Sequence, residues 1–145
     1  MKIYVASSWR NPNLDSIVDI LRQAGHIVYN FKETISTTEK TSAFNWDQID
    51  PSWENWTSSE FAEHINDVLA VNAFEADSTA MKEAEACVLV LPCGLSAHIE
   101  AGYMKGLGKK VFILLTLCRP ELTYRIFDGL AANVQELLSM LGREN

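Results

Sequence analysis

Residues 2–31 read KIYVASSWRNPNLDSIVDILRQAGHIVYNF. Lys2–Ala6 is a short β-rich run that ends in a small-residue turn, Ser7-Ser8, followed by Asn11-Pro12. From there Leu14, Ile17, Val18 and Leu21 recur at i, i+3, i+4 and i+7, and Gly25 follows, which is the pattern of an amphipathic helix with a glycine stop. Ile27–Phe31 is again β-rich. A strand, a helix and a strand in so short a span predict a crossover between parallel strands, with any ligand chemistry at their C-terminal ends.

Outward from this unit the chain changes character and then returns to the same pattern. Residues from about 32 to 57 form an excursion, Thr/Ser-rich at first and then carrying Phe44, Trp46, Trp53 and Trp56 without clear periodicity. Thr57-Ser58-Ser59-Glu60 fits a capping box, and Phe61, Ile65, Val68 and Leu69 follow at helical spacing, so a helix is predicted to start there. A further helical stretch is predicted through Met81 to Ala86, with Asp77 ahead of it. Cys87–Leu91 (CVLVL) is a continuous apolar run bounded by Pro92, as expected of a central parallel strand covered on both faces. Ser96 is the predicted N-cap of a helix Ala97–Leu107 that Gly108 ends, and Val111–Leu115 (VFILL) is another buried strand. Leu130, Val134, Leu137, Leu138 and Leu141 give a closing helix its core stripe. The expectation is a single α/β domain over residues 1–145, flavodoxin-like or Rossmann-like, with about five parallel strands and helices on both faces.

The 145 residues carry 12 Lys+Arg against 19 Asp+Glu, a net charge of -7 that argues against a nucleic-acid polymer or an anionic membrane as partner. A small anionic ligand stays compatible, because a local pocket needs only one Arg and a few N–H donors. Cys87, Cys93 and Cys118 form no CxxC pair, which suits a reducing cytoplasm. The opening MKIYVASSWR has no long apolar segment, and no apolar run reaches the ~18 residues of a membrane span.

Two loops at predicted strand ends carry groups with chemistry. In the first, Ser7, Ser8 and Arg10 offer two hydroxyls and a guanidinium to a phosphate or carboxylate, or are ordinary turn residues. The second runs from Pro92 to Glu100. With Ser96 as cap, Glu100 lies near a helix N-terminus, where the dipole favours a carboxylate by about 0.3 to 1 kcal/mol. That suits a nucleophile, and it equally suits plain dipole complementation. Gly102 costs roughly 0.8 to 1 kcal/mol against Ala in a helix, which points to close backbone approach. Asp77 is either an N-cap or a site carboxylate. His26, His64 and His98 share no metal-ligand spacing with one another or with the cysteines, so no metal is expected, and His98 reads as a hydrogen-bonder on the rim. Neither GxGxxG after the first strand nor GxxxxGK[ST] occurs, which argues against dinucleotide oxidoreductases and P-loop enzymes.

Together these segments resemble the nucleoside 2-deoxyribosyltransferase superfamily, including its nucleotide N-glycoside hydrolase branch. The resemblance is carried by Ile3-Tyr4-Val5-Ala6-Ser7-Ser8-Trp9-Arg10, by Asp77 ahead of Ala84-Glu85 and a hydrophobic strand, and by Ser96-Ala97-His98-Ile99-Glu100-Ala101-Gly102-Tyr103 with Gly108-Lys109-Lys110-Val111. It implies Glu100 as the nucleophile at the anomeric carbon, Tyr4 as its hydrogen-bonding partner and Asp77 as the group acting near the base. It further implies that Ser8 and Arg10 hold a 5′-phosphate. Where the transferase branch has a base-reading acidic residue, six positions before the nucleophile, this chain has Gly94, and Ser96 stands near enough to serve a phosphate instead. Trp46, Trp53 and Trp56 are either a lid or stacking wall for the base or a satellite hydrophobic cluster. The activity implied is hydrolysis of a nucleoside 5′-monophosphate, with base exchange between deoxynucleosides as the alternative, and neither needs a cofactor. A non-catalytic nucleotide sensor and an NAD-cleaving enzyme are the rival classes. Relatives often complete their pockets across a dimer interface, so the resemblance also implies a homodimer or higher homo-oligomer.

Overall fold

A computed structural model describes residues 1–33, 43–116 and 119–143. Among them the chain forms strands β1 (Lys2–Ala6), β2 (Ile27–Asn30), β3 (Ala86–Val90), β4 (Lys110–Leu114) and β5 (Gly129–Ala131). The helices are α1 (Leu14–Gln23), α2 (Ser58–His64), α3 (Val68–Glu83), α4 (Leu95–Gly106) and α5 (Val134–Arg143). The chain divides into two compact units, Met1–Asn30 with Met81–Asn145, and Phe31–Ala80. Among the described residues no helix is long and apolar enough to cross a membrane.

The first unit holds one parallel sheet of order β2-β1-β3-β4-β5. All five residues of β3 are buried, as the unbroken apolar run requires of a strand covered on both faces. From β1 the chain steps outward to β2, whereas from β3 it steps the other way to β4. Right-handed crossovers therefore place α1 and α4 on opposite faces, and the switch in direction falls between β1 and β3. This is the doubly wound α/β architecture expected from residues 2–31. α1 buries Leu14, Ile17, Val18 and Leu21, and the chain leaves it through Gly25 at φ +89, a left-handed conformation that favours glycine. α4 packs against β1, β3 and β4, and α5 against β4 and β5.

Some local expectations are corrected. α4 starts at Leu95 with Gly94, in extended conformation, as its N-cap, so Ser96 lies inside the first turn. Leu130 belongs to β5, and only Val134 onward is helical, with Leu137 and Leu141 buried. β5 has three residues and no readable pattern. A Cβ at Gly129 would fall 2.8 Å from Met140 Sδ, so this strand is tucked under α5 and a larger residue there would require the Met140 side chain to shift. Asp128, just before it, accepts from Val111 N at 2.8 Å and from Lys105 Nζ at 2.8 Å, tying β5 to β4 and α4.

In the second unit the capping box is present, with Thr57 Oγ1 accepting from Glu60 N and the Glu60 carboxylate accepting from Thr57 N. The helix it starts ends at His64, and α3 begins separately at Val68. Trp46 meets Phe44, Trp56 and Phe61 edge-on at 4.9, 5.7 and 5.7 Å. Trp56 donates to Asp50 Oδ2 at 2.7 Å and stacks on His64 at 4.2 Å. Residues 34–42, the first part of the predicted excursion, and Cys118 lie outside the described residues.

Candidate active site

β1 delivers Tyr4 to the middle of the sheet, fully buried and stacked on Tyr29 with ring centroids 5.2 Å apart. Its register partner on β3 is Cys87. Burial pushes the Cys87 thiol up, and the Glu100 carboxylate pushes it further. Cys93, in the turn after β3, is raised to about 11 by the same two causes in the same order. The Glu100 carboxylate is thus near enough to bear electrostatically on Cys87, at the register position of Tyr4, and on Cys93, in the turn that launches α4.

The reason for its placement differs from the expected one. Glu100 is the sixth residue of α4, in the second turn, because the helix starts one residue before Ser96. The dipole effect fades beyond the first turn, so position over the sheet, rather than the helix terminus, defines this carboxylate. Ala97, Ala101 and Met104 seat α4 on the sheet, and Glu100 flanks that buried stripe. Among the described residues the expected close approach at Gly102 does not occur, since a Cβ there would meet nothing within 4 Å. Ser96 is exposed on the first turn, and a Cβ at Gly94 would likewise meet nothing within 4 Å.

The β1–α1 loop supplies the other groups. Ser7 Oγ donates to Val90 O at 2.8 Å and accepts from Asn11 Nδ2 at 3.1 Å, so this hydroxyl is engaged within the protein. Ser8 Oγ accepts from Arg10 N at 3.2 Å, which leaves its hydroxyl proton to donate elsewhere. Arg10 is exposed, and among the described residues its guanidinium makes no hydrogen bond or ion pair.

His98 points to the opposite flank of α4 from Glu100, two residues away on the helix. Its Nδ1 donates to Gly94 O at 2.8 Å and its Nε2 accepts from Tyr124 Oη at 2.8 Å, an assignment fixed by the carbonyl, which can only accept. Its imidazole thus braces the β3–α4 turn against the short helical turn Leu122–Ile126. Tyr124 escaped the sequence reading because its partner lies 26 residues away and leaves no local pattern. Beside this pair, Leu91, Pro92, Leu95, Ile126 and Phe127 line a mostly apolar cavity of about 840 Å³.

Asp77 and Trp46 belong to the second unit. Asp77 is no N-cap: it sits inside α3, half-buried on the stripe of Ala70 and Ala73, the helix's buried alanines. Trp46 is the hub of the aromatic cluster, in contact with Phe44, Trp56 and Phe61. Among the described residues no group of three or more His, Cys, Asp or Glu side chains could hold a metal ion.

The sheet order, the switch point and the helices on both faces define a doubly wound, flavodoxin-like α/β fold. A 2-deoxyribosyltransferase from the psychrotolerant bacterium Bacillus psychrosaccharolyticus is similar over 95% of this chain and 90% of its own, with TM-score 0.61 and 16% identity. The CMP N-glycosidase BcmB of Clostridium botulinum is similar over 98% of this chain and 99% of its own, with TM-score 0.54 and 15% identity. No protein-family model and no curated protein matches the sequence, so the likeness is one of fold.

Proposed function

We propose that the chain acts on the N-glycosidic bond of a nucleotide or nucleoside, hydrolysing a nucleoside or deoxynucleoside 5′-monophosphate to free base and sugar phosphate. The observation that carries this reading is a Glu100 carboxylate that bears on Cys87, the register partner of Tyr4, and on Cys93, with the Ser8 and Arg10 loop following the neighbouring strand β1. Two fold relatives act at such bonds, one as a transferase and one as a glycosidase. In the mechanism we propose, a Glu100 carboxylate oxygen attacks C1′ as the C1′–N bond breaks, and the departing base takes a proton from a general acid. Water then attacks C1′, giving its proton to the conjugate base of that acid, and Glu100 leaves as the free carboxylate. Tyr4 orients Glu100, while Ser8 and Arg10 hold the 5′-phosphate with charge-assisted hydrogen bonds. Gly94, lacking a side chain, Ser96 and the neighbouring turn leave room for the base. The reaction needs neither metal nor cofactor.

Base exchange is the second reading, in which an acceptor base replaces water. Two further readings, a nucleotide sensor and an NAD-cleaving enzyme, predict no base release from monophosphates. We also infer self-association. The outer face of α4 carries Leu95 at 84% and Ile99 at 70% exposure, followed by Gly102 and Gly106. A second copy offers the same face, so an isologous helix pair would cover both. The free thiols of Cys87 and Cys93 suit the cytoplasm.

The test is chromatographic. The protein and Glu100→Ala are incubated with nucleoside 5′-monophosphates, with deoxynucleosides plus an acceptor base, and with NAD. Base release from a monophosphate, lost in the variant, supports hydrolysis, and exchange without net release moves the assignment to transfer. Ligand binding with no turnover of any substrate would refute the enzymatic reading.

A further inference from the structure

We infer that Asn11 is a positioning residue that clamps the anion-binding loop to the end of β3 and thereby sets its distance from the helix bearing Glu100. The inference rests on the reading of Ser8 and Arg10 as the phosphate grip. In the sequence Asn11 is only half of an Asn-Pro turn. In the structure it is 2% exposed, a polar side chain held within the core.

Its polar atoms are all engaged. Nδ2 donates to Ser7 Oγ at 3.1 Å and to Val90 O at 3.4 Å, and Oδ1 accepts from Asn13 N at 2.9 Å. Its backbone N–H donates to Ser8 O at 3.0 Å. Ser7 Oγ completes the clamp by donating to the same Val90 carbonyl at 2.8 Å. A buried amide satisfied in this way fixes geometry, because breaking any one bond leaves a polar group without water.

The placement of the clamp gives it a functional meaning. Ser7 and Asn11 are pinned to the central strand, and the three residues between them, Ser8, Trp9 and Arg10, form the arch whose groups meet solvent. Val90 is the last residue of β3, and Gly94, the N-cap of α4, follows four residues later. The Val90 carbonyl therefore ties the loop that would hold the phosphate to the strand end from which the turn to the nucleophile's helix departs. Pre-set geometry of this kind lowers the cost of binding, and a displacement near 1 Å can cost about 10²-fold.

The test compares the wild type with Asn11→Ala, Asn11→Asp, Ser7→Ala and Arg10→Ala. Asn11→Asp keeps the acceptor for Asn13 N–H and loses both Nδ2 donations, so it opens the clamp while preserving the start of α1. Steady-state base release is measured with a 5′-monophosphate and with its nucleoside, ribose 5-phosphate binding by calorimetry, and folding by thermal melting. The expected result for Asn11→Asp is a roughly ten- to hundredfold rise in monophosphate KM. Its kcat and its nucleoside KM stay within about twofold, and ribose 5-phosphate weakens in parallel. Ser7→Ala shows the same split and keeps the test alive if the Asn11 variants do not fold. Folded clamp variants with wild-type KM and ribose 5-phosphate binding overturn the inference, as does an equal loss of kcat on both substrates. If Arg10→Ala weakens ribose 5-phosphate while the clamp variants bind normally, the inference alone falls. If the wild type does not bind ribose 5-phosphate, the reading of the loop falls and the inference with it.

Discussion

Glu100→Gln is expected to make the Cys93 thiol more reactive. The Cys93 thiol is pushed up to about 11, first by burial and then by the Glu100 carboxylate. A negative carboxylate disfavours the thiolate, so replacing it by an amide lowers the thiol pKa. Burial remains in the variant, so the thiol falls only part of the way back toward its ordinary value and the thiolate fraction near pH 9 rises. Because only the thiolate is alkylated, the rate at that pH rises by the same factor. The assay is iodoacetamide labelling at pH 9, read by peptide mass spectrometry so that Cys93 is separated from Cys118 and from the buried Cys87. A severalfold faster Cys93 in Glu100→Gln, with melting unchanged, is the expected outcome. An unchanged or slower rate would refute the placement of a charged Glu100 beside the β3–α4 turn.

Three further outcomes follow from the geometry. Tyr124→Phe removes the hydroxyl that donates to His98 Nε2 at 2.8 Å and should cost about 0.5–1.5 kcal/mol in urea unfolding. Arg10→Ala should raise KM for a 5′-monophosphate far more than for the matching nucleoside, and added salt should shrink the difference. Burial alone would raise the Asp128 carboxyl, but the bonds from Lys105 and Val111 N–H outweigh it and hold it below its usual value. A depressed carboxylate gives stability that is present above its unfolded pKa and lost as pH falls through the folded one. The stability gap between wild type and Asp128→Asn should therefore be widest above about pH 5 and close progressively below about pH 4, as urea midpoints across that range would show.

The parts of the fold written in local periodicity were legible. β1, α1 and β2 follow from Leu14, Ile17, Val18, Leu21 and Gly25, and β3 from its unbroken apolar run. β5 was not legible, because three residues tucked under α5 carry no period and its glycine records a packing contact with Met140. The start of α4 was misplaced because a serine is the better intrinsic cap, yet the chain uses Gly94 in extended conformation and leaves Leu95 outside. The placement of Asp77 ahead of a helix fails for a related reason, since it lies inside α3. In α3 the large apolar Val68, Leu69 and Phe74 are exposed while Ala70 and Ala73 are buried, so hydrophobicity marks the wrong face. The residues of the Glu100 neighbourhood were nameable from their types, but the bonds that hold them were not. Asn11 meets Val90 and His98 meets Tyr124 across sequence separations of 79 and 26, which leave no local pattern.

The central claim is that Glu100 attacks the sugar. A 2′-fluorinated nucleoside 5′-monophosphate slows breakdown of a glycosyl ester, so a brief incubation followed by intact-mass measurement and peptide mapping interrogates that step alone. The account predicts one sugar-phosphate adduct per chain, mapped to Glu100 and missing in Glu100→Ala. An adduct on another residue, or base release that persists undiminished in Glu100→Ala, would contradict it.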